Sequence, residues 1–154
     1  MTQILNTVEE SVDEAIARIG KNIVLMAPLG LGKPVQVVNA FFNRAVSDPE
    51  ISLHIYTALC LETPPVGEGV EASLAGPIME RLFGDYEELP FVKPVRGETL
   101  PPNIQVSELY FKAGSMKSVP SAQRNYISRN YTHIARDKYD AGANVLVKLV
   151  AARD

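Results

Sequence analysis

Two glycines and a lysine follow a short apolar run in the stretch APLGLGKPVQ, residues 27–36. Glycines leave backbone amides uncovered, and a turn that opens a helix places those amides near the positive end of the helix dipole. Such amides suit a carboxylate, a phosphate or the oxyanion that develops during acyl transfer. The same glycines also suit a plain tight turn, in which they only permit unusual backbone dihedrals.

The turn completes neither of the two common nucleotide-binding motifs. A phosphate-binding loop needs a glycine where Ala27 stands and a hydroxyl residue where Pro34 stands. A dinucleotide fingerprint needs a third glycine where Val35 stands, although Glu62 is available as the acidic residue after the next strand. Two interpretations of the turn remain. It is either an anion site formed by backbone amides that have no other partner, or a turn with only a structural role.

Several other side chains could do chemistry, and each also has a structural interpretation. Cys60 could be a nucleophile, but no histidine–acid pair is visible beside it, which favours a buried and inert thiol. His133 could be a general base or a hydrogen-bonded structural histidine. Glu62 and Glu108, near strand ends, could be catalytic or solvated. A last group could bind amides, carboxylates or phosphate, or could be a polar helix face: Gln123, Arg124, Asn125, Arg129 and Asn130.

The first third of the chain predicts the elements that carry the glycine turn. Ser11 and Glu14 have the spacing of a capping box, and the helix that follows should end at Gly20. The apolar run 23–27 is typical of a strand buried on both faces. A helix should begin at Pro34 and end near Ser47, and the alternating segment 51–59 predicts a second strand, with His54 and Tyr56 on its other face. Residues 23–59 therefore predict a βαβ unit.

The rest of the chain is less regular. Residues 60–103 hold many prolines, and only 74–83 favours a short helix, so we expect a functional loop or a segment packed against absent protein. A third strand is predicted over 104–111 and a short helix over 118–127. A further helix should begin after Asn130, end at Gly142 and turn Tyr131, Ile134, Ala135 and Tyr139 inward; a last strand is predicted over 144–151. The predicted fold is α/β, an open and mainly parallel sheet with helices on both faces.

Composition limits the class of protein. The chain has 154 residues, which predicts a single domain over 1–154, and a net charge of -3, which argues against nucleic acid. It has one cysteine and no apolar stretch near the ~20 residues that span a bilayer. We therefore expect a cytoplasmic protein with no membrane partner, no metal and no bound cofactor.

Five blocks of the chain, taken together, resemble one enzyme family. They are PLGLGKPVQVVNAFF, TALCLETP, LPPNIQVSELYFKAG, AQRNYISRNYTH and GANVLVKLVA, and they run in order from about Ile23 to Ala151. The chain resembles the N-terminal domain of the acetyl-CoA hydrolase/transferase family, in the CoA-transferase superfamily. Met26, Ala27 and Pro28 stand where many relatives carry paired glycines and an aromatic residue.

The resemblance implies a function and a set of site residues. Such enzymes move CoA between short acyl groups and carboxylates, or hydrolyse the thioester, through a glutamate of a second domain; we therefore expect no catalytic residue in this chain, which would be inactive alone. The implied substrate-binding or oxyanion residues are Leu29, Gly30, Leu31, Gly32 and Lys33, with Gln123, Asn130 and His133 as further lining residues. The implied partners are acyl-CoA, carboxylates and the C-terminal domain of the same enzyme, and a homodimer is compatible with this arrangement. The alternative is a noncatalytic nucleotide-, anion- or partner-binding module.

Overall fold

A four-stranded parallel sheet forms the centre of the protein. The computed structural model describes residues 3–151, and its strands are β1 (Asn22–Met26), β2 (Ser52–Thr57), β3 (Ile104–Glu108) and β4 (Val145–Leu146), in the order β3-β2-β1-β4. One row across the sheet reads Val145, Leu25, Ile55 and Val106. The predicted α/β class and parallel sheet are confirmed.

The first helix, α1 (Val8–Ile19), begins one turn earlier than the capping box at Ser11 predicts. Thr7 caps it, since its hydroxyl accepts from the Glu10 amide at 3.1 Å, and the Glu10 carboxylate accepts from the Asn6 amide at 2.9 Å. The prediction at Ser11 is wrong because an earlier threonine with a glutamate three residues on satisfies the free amides first. The helix ends at Gly20, which has a φ of +88°, as predicted.

Helix α2 (Val35–Ser47) joins β1 to β2 and confirms the predicted βαβ order. Its inner face buries Val38, Phe41, Phe42 and Ala45. These side chains pack on the sheet face that carries Leu25 and Ile55, together with Val12 of α1. Burial of this apolar surface is the main source of stability for the βαβ unit.

Residues 60–103 are more ordered than their prolines predict. They form α3 (Val70–Phe83) and α4 (Val92–Gly97), the second of which the sequence does not predict. Leu89, Phe91, Val92 and Val95 are buried in the main core, and Phe91 has no exposed surface. The expectation that this segment packs only on absent protein is therefore wrong for residues 89–95.

The C-terminal elements are shorter than predicted. They are α5 (Pro120–Arg124) and, after one 3₁₀ turn at Tyr131–His133, α6 (Ile134–Asp140). Tyr131, Ala135 and Tyr139 are exposed, so the predicted inward face is wrong at these three positions. Ile134 turns toward the sheet as predicted, together with Asp137 and Lys138. Of the predicted strand 144–151 only β4 pairs, and Leu149 and Val150 are exposed.

The two faces of the sheet are covered unequally. The face of Leu25, Ile55 and Val106 lies under α1, α2 and residues 89–95. The opposite face carries Tyr56 and also His54, whose Nε2 lies 2.8 Å from Ser107 Oγ. Residues of α6 cover this face beside Met26 and Tyr56. No helix within residues 3–151 is long and apolar enough to cross a membrane.

Candidate functional site

The loops after β1, β2 and β3 meet at one edge of the sheet. Parallel strands bring their carboxyl ends together, and this edge is where open α/β sheets bind ligands. The Gly30 amide donates to the Leu59 carbonyl at 3.3 Å, and the Leu59 amide donates to the Tyr110 carbonyl at 2.7 Å. These two hydrogen bonds connect the glycine turn after β1 to the loop after β2, and that loop to the one after β3.

Two residues at this junction adopt left-handed backbone conformations. Gly30 has a φ of +53°, which glycine adopts freely. Leu59 has a φ of +45°, which is unfavourable for a residue with a β-carbon. Strained non-glycine residues cluster at functional sites, where the surrounding structure holds them in place.

Lys33 lies inside the turn, with 3% of its surface exposed. Its ammonium group donates to the Pro28 carbonyl at 2.7 Å, to the Ala58 carbonyl at 3.2 Å and to the Thr57 hydroxyl. Burial lowers the pKa of Lys33. These contacts join the loop after β1 to the loop after β2, so the charge of Lys33 is directed at protein carbonyls.

Glu108 and Cys60 lie together at the same edge, Glu108 buried and Cys60 half-buried. Glu108 is 3% exposed and lies at the end of β3, and one of its carboxylate oxygens accepts from the Cys60 amide at 3.3 Å. Burial raises the pKa of the Glu108 carboxyl. Burial, and next the negative charge of Glu108, raise the pKa of the Cys60 thiol well above its ordinary range. The thiol is therefore held in its protonated, weakly nucleophilic form.

A cavity of about 260 Å³ lies between the glycine turn and α6; we call it the turn cavity. Its walls are mainly apolar and include Met26, Pro28, Leu29, Tyr56, Leu109, Ile127, Tyr131 and Ile134. Three charged residues also line it: Arg129, Asp137 and Lys138. The Arg129 Nε lies 3.3 Å from Asp137 Oδ1, whereas the buried Asp137 Oδ2 has no hydrogen-bond partner among the described residues. A buried acceptor without a donor is costly unless a ligand or water satisfies it.

A larger groove of about 950 Å³ lies on the other side of the turn. Leu31, Leu59, Cys60 and Glu108 line it. At its edge, Arg96 makes two hydrogen bonds to the carboxylate of Glu62, at 2.9 and 2.5 Å. Glu62 therefore neutralises an arginine in this structure.

The residues implied by the family resemblance fall in different places. Leu29 lines the turn cavity and Leu31 the groove, while Gly32 is exposed between them. The three further lining residues that the resemblance implies, Gln123, Asn130 and His133, lie outside both spaces. Gln123 donates to the Lys117 carbonyl, Asn130 accepts from the Thr132 amide at 3.1 Å as a helix cap, and His133 is exposed.

Among the turn-cavity residues that sequence reasoning missed are Tyr56 and Asp137. Tyr56 was assigned to the second face of β2, and only the position of α6 makes that face part of a cavity. Asp137 follows Ile134 by three residues, a spacing that places both on one face of a helix. This spacing is the feature of the sequence that could have identified Asp137 as a cavity residue.

Comparison with known proteins found no match, whether with family models, with curated proteins or with solved structures. Within residues 3–151 no group of three or more histidine, cysteine, aspartate or glutamate side chains is placed to hold a metal ion.

Proposed function

We propose that this chain is the N-terminal part of an acetyl-CoA hydrolase or CoA-transferase, and that the carboxyl edge of its sheet binds the CoA thioester. The observation that carries the proposal is the turn cavity: a mainly apolar space that adjoins the glycine turn and has Asp137 in its wall, with the Asp137 Oδ2 atom buried and unpartnered among the described residues. The resemblance described above points to the same substrate class.

The chemistry of the turn cavity suits the pantetheine arm of CoA. That arm is slim and largely apolar, and its two amide N–H groups are hydrogen-bond donors. One of them would satisfy Asp137 Oδ2, which has no donor within residues 3–151, once a rotation of the carboxylate brings this buried atom to the cavity. Arg129 and Lys138, on the same cavity, supply positive charge for the phosphates of the ligand.

The glycine turn would contribute hydrogen-bond donors to the reacting carbonyl. The Gly30 and Lys33 amides already donate to protein carbonyls. The candidate donors are therefore the amides of Leu29, Leu31 and Gly32, aimed at the oxygen that becomes negative when the thioester is attacked. The nucleophilic glutamate would come from a second domain, so this chain would supply binding and charge stabilisation but no nucleophile.

Calorimetric titration of the purified chain tests the proposal. We expect CoA and acetyl-CoA to bind more tightly than ATP, which lacks the pantetheine arm. Because a hydrogen bond to a charged group contributes about 1.5–3 kcal/mol, Asp137→Leu should weaken acetyl-CoA binding by about tenfold or more. Asp140→Leu is the matched control, because Asp140 lies on the same helix but contacts Arg136 at 3.6 Å outside the cavity.

Three results would count against the proposal. Equal binding of ATP and acetyl-CoA, with no effect of Asp137→Leu, would favour a nucleotide- or anion-binding module. No binding of any of these ligands would favour an interaction module, for which the specific observation is the row of exposed apolar side chains on α3, formed by Val70, Leu74, Ile78 and Leu82. Thioester hydrolysis by the chain alone would overturn the idea that the nucleophile lies elsewhere.

A further inference from the structure

Leu59 is the residue through which the three loops at the carboxyl edge of the sheet are connected. Its φ of +45° lies in the left-handed region, where a β-carbon is crowded and glycine is not. Such a conformation persists only where the surrounding structure holds it in place. The contacts that hold Leu59 therefore show which residues control the shape of this edge.

Three hydrogen bonds hold the backbone at Leu59. Its amide donates to the Tyr110 carbonyl at 2.7 Å, and its carbonyl accepts from the Gly30 amide at 3.3 Å. The amide of the next residue, Cys60, donates to Glu108 Oε2 at 3.3 Å. Two of these three partners, Glu108 and Tyr110, belong to β3 and the loop that follows it, so the end of β3 supports the strained residue.

Glu108 is the side chain in this set, and burial makes it hard to replace. It is 3% exposed, and the Cys60 amide has no other acceptor within residues 3–151. A carboxyl group keeps an acceptor oxygen whether it is ionised or protonated, so this hydrogen bond does not depend on the charge of Glu108. Loss of the carboxyl group would leave the Cys60 amide unpaired, next to the strained residue.

Leu59 in turn supports the first residue of the glycine turn. Besides its hydrogen bond to Gly30, its Cδ2 atom lies 3.9 Å from the position that a β-carbon at Gly30 would occupy. Gly30 is itself left-handed, with a φ of +53°. Two left-handed residues thus face each other across one hydrogen bond, and the direction of the amides that follow, at Leu31 and Gly32, depends on both.

We propose that Glu108 is a positioning residue for ligand binding at the carboxyl edge of the sheet. Through the Cys60 amide it holds Leu59 in its left-handed conformation, and Leu59 holds Gly30 and the amides of the turn in the direction that the ligand needs. Glu108 acts through the backbone and not by contact with the reacting carbonyl. This inference rests on the proposed function, because the ligand of the turn is taken to be the acyl-CoA thioester.

Amide hydrogen exchange of the isotope-labelled chain, measured by NMR without ligand, tests the first step. One net hydrogen bond corresponds to about tenfold in an equilibrium constant, so the Gly30 amide should exchange about tenfold faster in Glu108→Leu than in the wild type. Glu108→Gln should restore the wild-type rate, because its side-chain oxygen still accepts from the Cys60 amide. Glu68→Leu, at an exposed carboxylate, is the control, and the amide of Ile55 in the central strand β2 reports global unfolding.

Calorimetric titration with acetyl-CoA tests the second step. Glu108→Leu should bind acetyl-CoA about fivefold more weakly or worse, whereas Glu108→Gln and Glu68→Leu should bind it like the wild type. A Gly30 amide that exchanges at the wild-type rate in Glu108→Leu would overturn the proposal. So would wild-type affinity in a Glu108→Leu variant whose Gly30 amide exchanges faster.

The two measurements separate this inference from the proposed function. A wild-type chain that does not bind acetyl-CoA would overturn the proposed function and, with it, the role of Glu108 in binding that ligand. The exchange rate of the Gly30 amide would still decide whether Glu108 holds the glycine turn, because that measurement uses no ligand.

Discussion

The ammonium nitrogen of Lys33 lies 2.7 Å from the carbonyl oxygen of Pro28, within the turn that carries both residues. The lysine of the glycine turn thus points back into the protein and also contacts the Ala58 carbonyl after β2. The turn resembles a phosphate-binding loop in composition. Because Lys33 is buried, however, its charge is not available to a ligand. Lys33 instead fixes the position of the backbone on which the proposed thioester site depends.

Replacement of Lys33 by methionine should therefore destabilise the protein. Methionine preserves the apolar stem but leaves the Ala58 carbonyl without its donor, and leaves the Pro28 carbonyl with only the Thr57 hydroxyl, at 3.3 Å. We expect the free energy of unfolding to fall by about 1–3 kcal/mol, the usual cost of buried polar groups left unpaired. Urea denaturation measures this, with Lys93→Met as control, since Lys93 is exposed. Equal stability of the two variants would show that the hydrogen bonds of Lys33 between the loops after β1 and β2 do not stabilise the protein.

Replacement of Glu108 by glutamine should change how stability depends on pH. Burial raises the folded-state pKa of Glu108 above its ordinary value of 4.5. At pH values between the ordinary pKa and the raised pKa, the Glu108 carboxyl binds a proton more often in the folded protein than in the unfolded chain. The contribution of Glu108 to stability is therefore present at low pH and is lost as the pH rises through the folded-state pKa. Relative to the wild type, Glu108→Gln should therefore gain stability from pH 4 to pH 7.

The measurement is urea denaturation of both proteins at several pH values in that range. Glu68→Gln, at an exposed carboxylate, controls for the loss of one charge. A difference between Glu108→Gln and wild type that is constant with pH would show that Glu108 does not titrate differently on folding.

The Cys60 thiol should react slowly with Ellman's reagent at pH 8 in the folded protein and fast in urea. Burial and the nearby Glu108 carboxylate raise its pKa, whereas Lys33 lowers it. Glu108→Gln should therefore speed the reaction and Lys33→Met should slow it, since the thiolate is the reactive form. A folded wild-type protein that reacts as fast as the unfolded chain would contradict this account.

Replacement of Phe91 by alanine should destabilise the protein by about 3–5 kcal/mol, the usual cost of removing a buried aromatic side chain. Phe91 has no exposed surface, and its ring centroid lies 6.0 Å from that of Phe42 on α2. Tyr139→Ala, at an aromatic residue that is 85% exposed, should change stability by less than about 0.5 kcal/mol. Thermal denaturation compares the two, and a small effect of Phe91→Ala would show that residues 89–95 are not part of the main core.

Phe91 also shows which parts of the fold the sequence could predict. The βαβ unit was predictable because its apolar residues repeat with the period of each element, as at Leu53 and Ile55. The short segment 89–95 has no such repeat and two prolines nearby, and its burial depends on space that α2 leaves beside the sheet. Tertiary packing, not local pattern, places Phe91 in the core.

The candidate site was predictable to a similar extent. The position of the glycine turn follows from the strand before it and the helix after it. The burial of Lys33 and the unpartnered Asp137 Oδ2 do not follow from local sequence, because both depend on contacts between segments far apart in the chain. The inward position of Tyr139 on α6 was mispredicted because a tyrosine suits exposed and buried positions alike, whereas the aliphatic Ile134 faces inward as predicted.

Replacement of Gly32 by valine should separate a binding role of the turn from a structural one. An added β-carbon at Gly32 meets no atom within 4 Å, and its φ lies outside the left-handed region, so the variant should fold with a melting temperature close to that of the wild type. The valine side chain would nevertheless crowd the amides proposed to face the thioester, and we expect acetyl-CoA binding to weaken by about tenfold. Ala143→Val is the matched control, because Ala143 is likewise exposed and lies outside the helices and strands. If both variants bind acetyl-CoA as tightly as the wild type, the glycine turn serves only to connect β1 to α2.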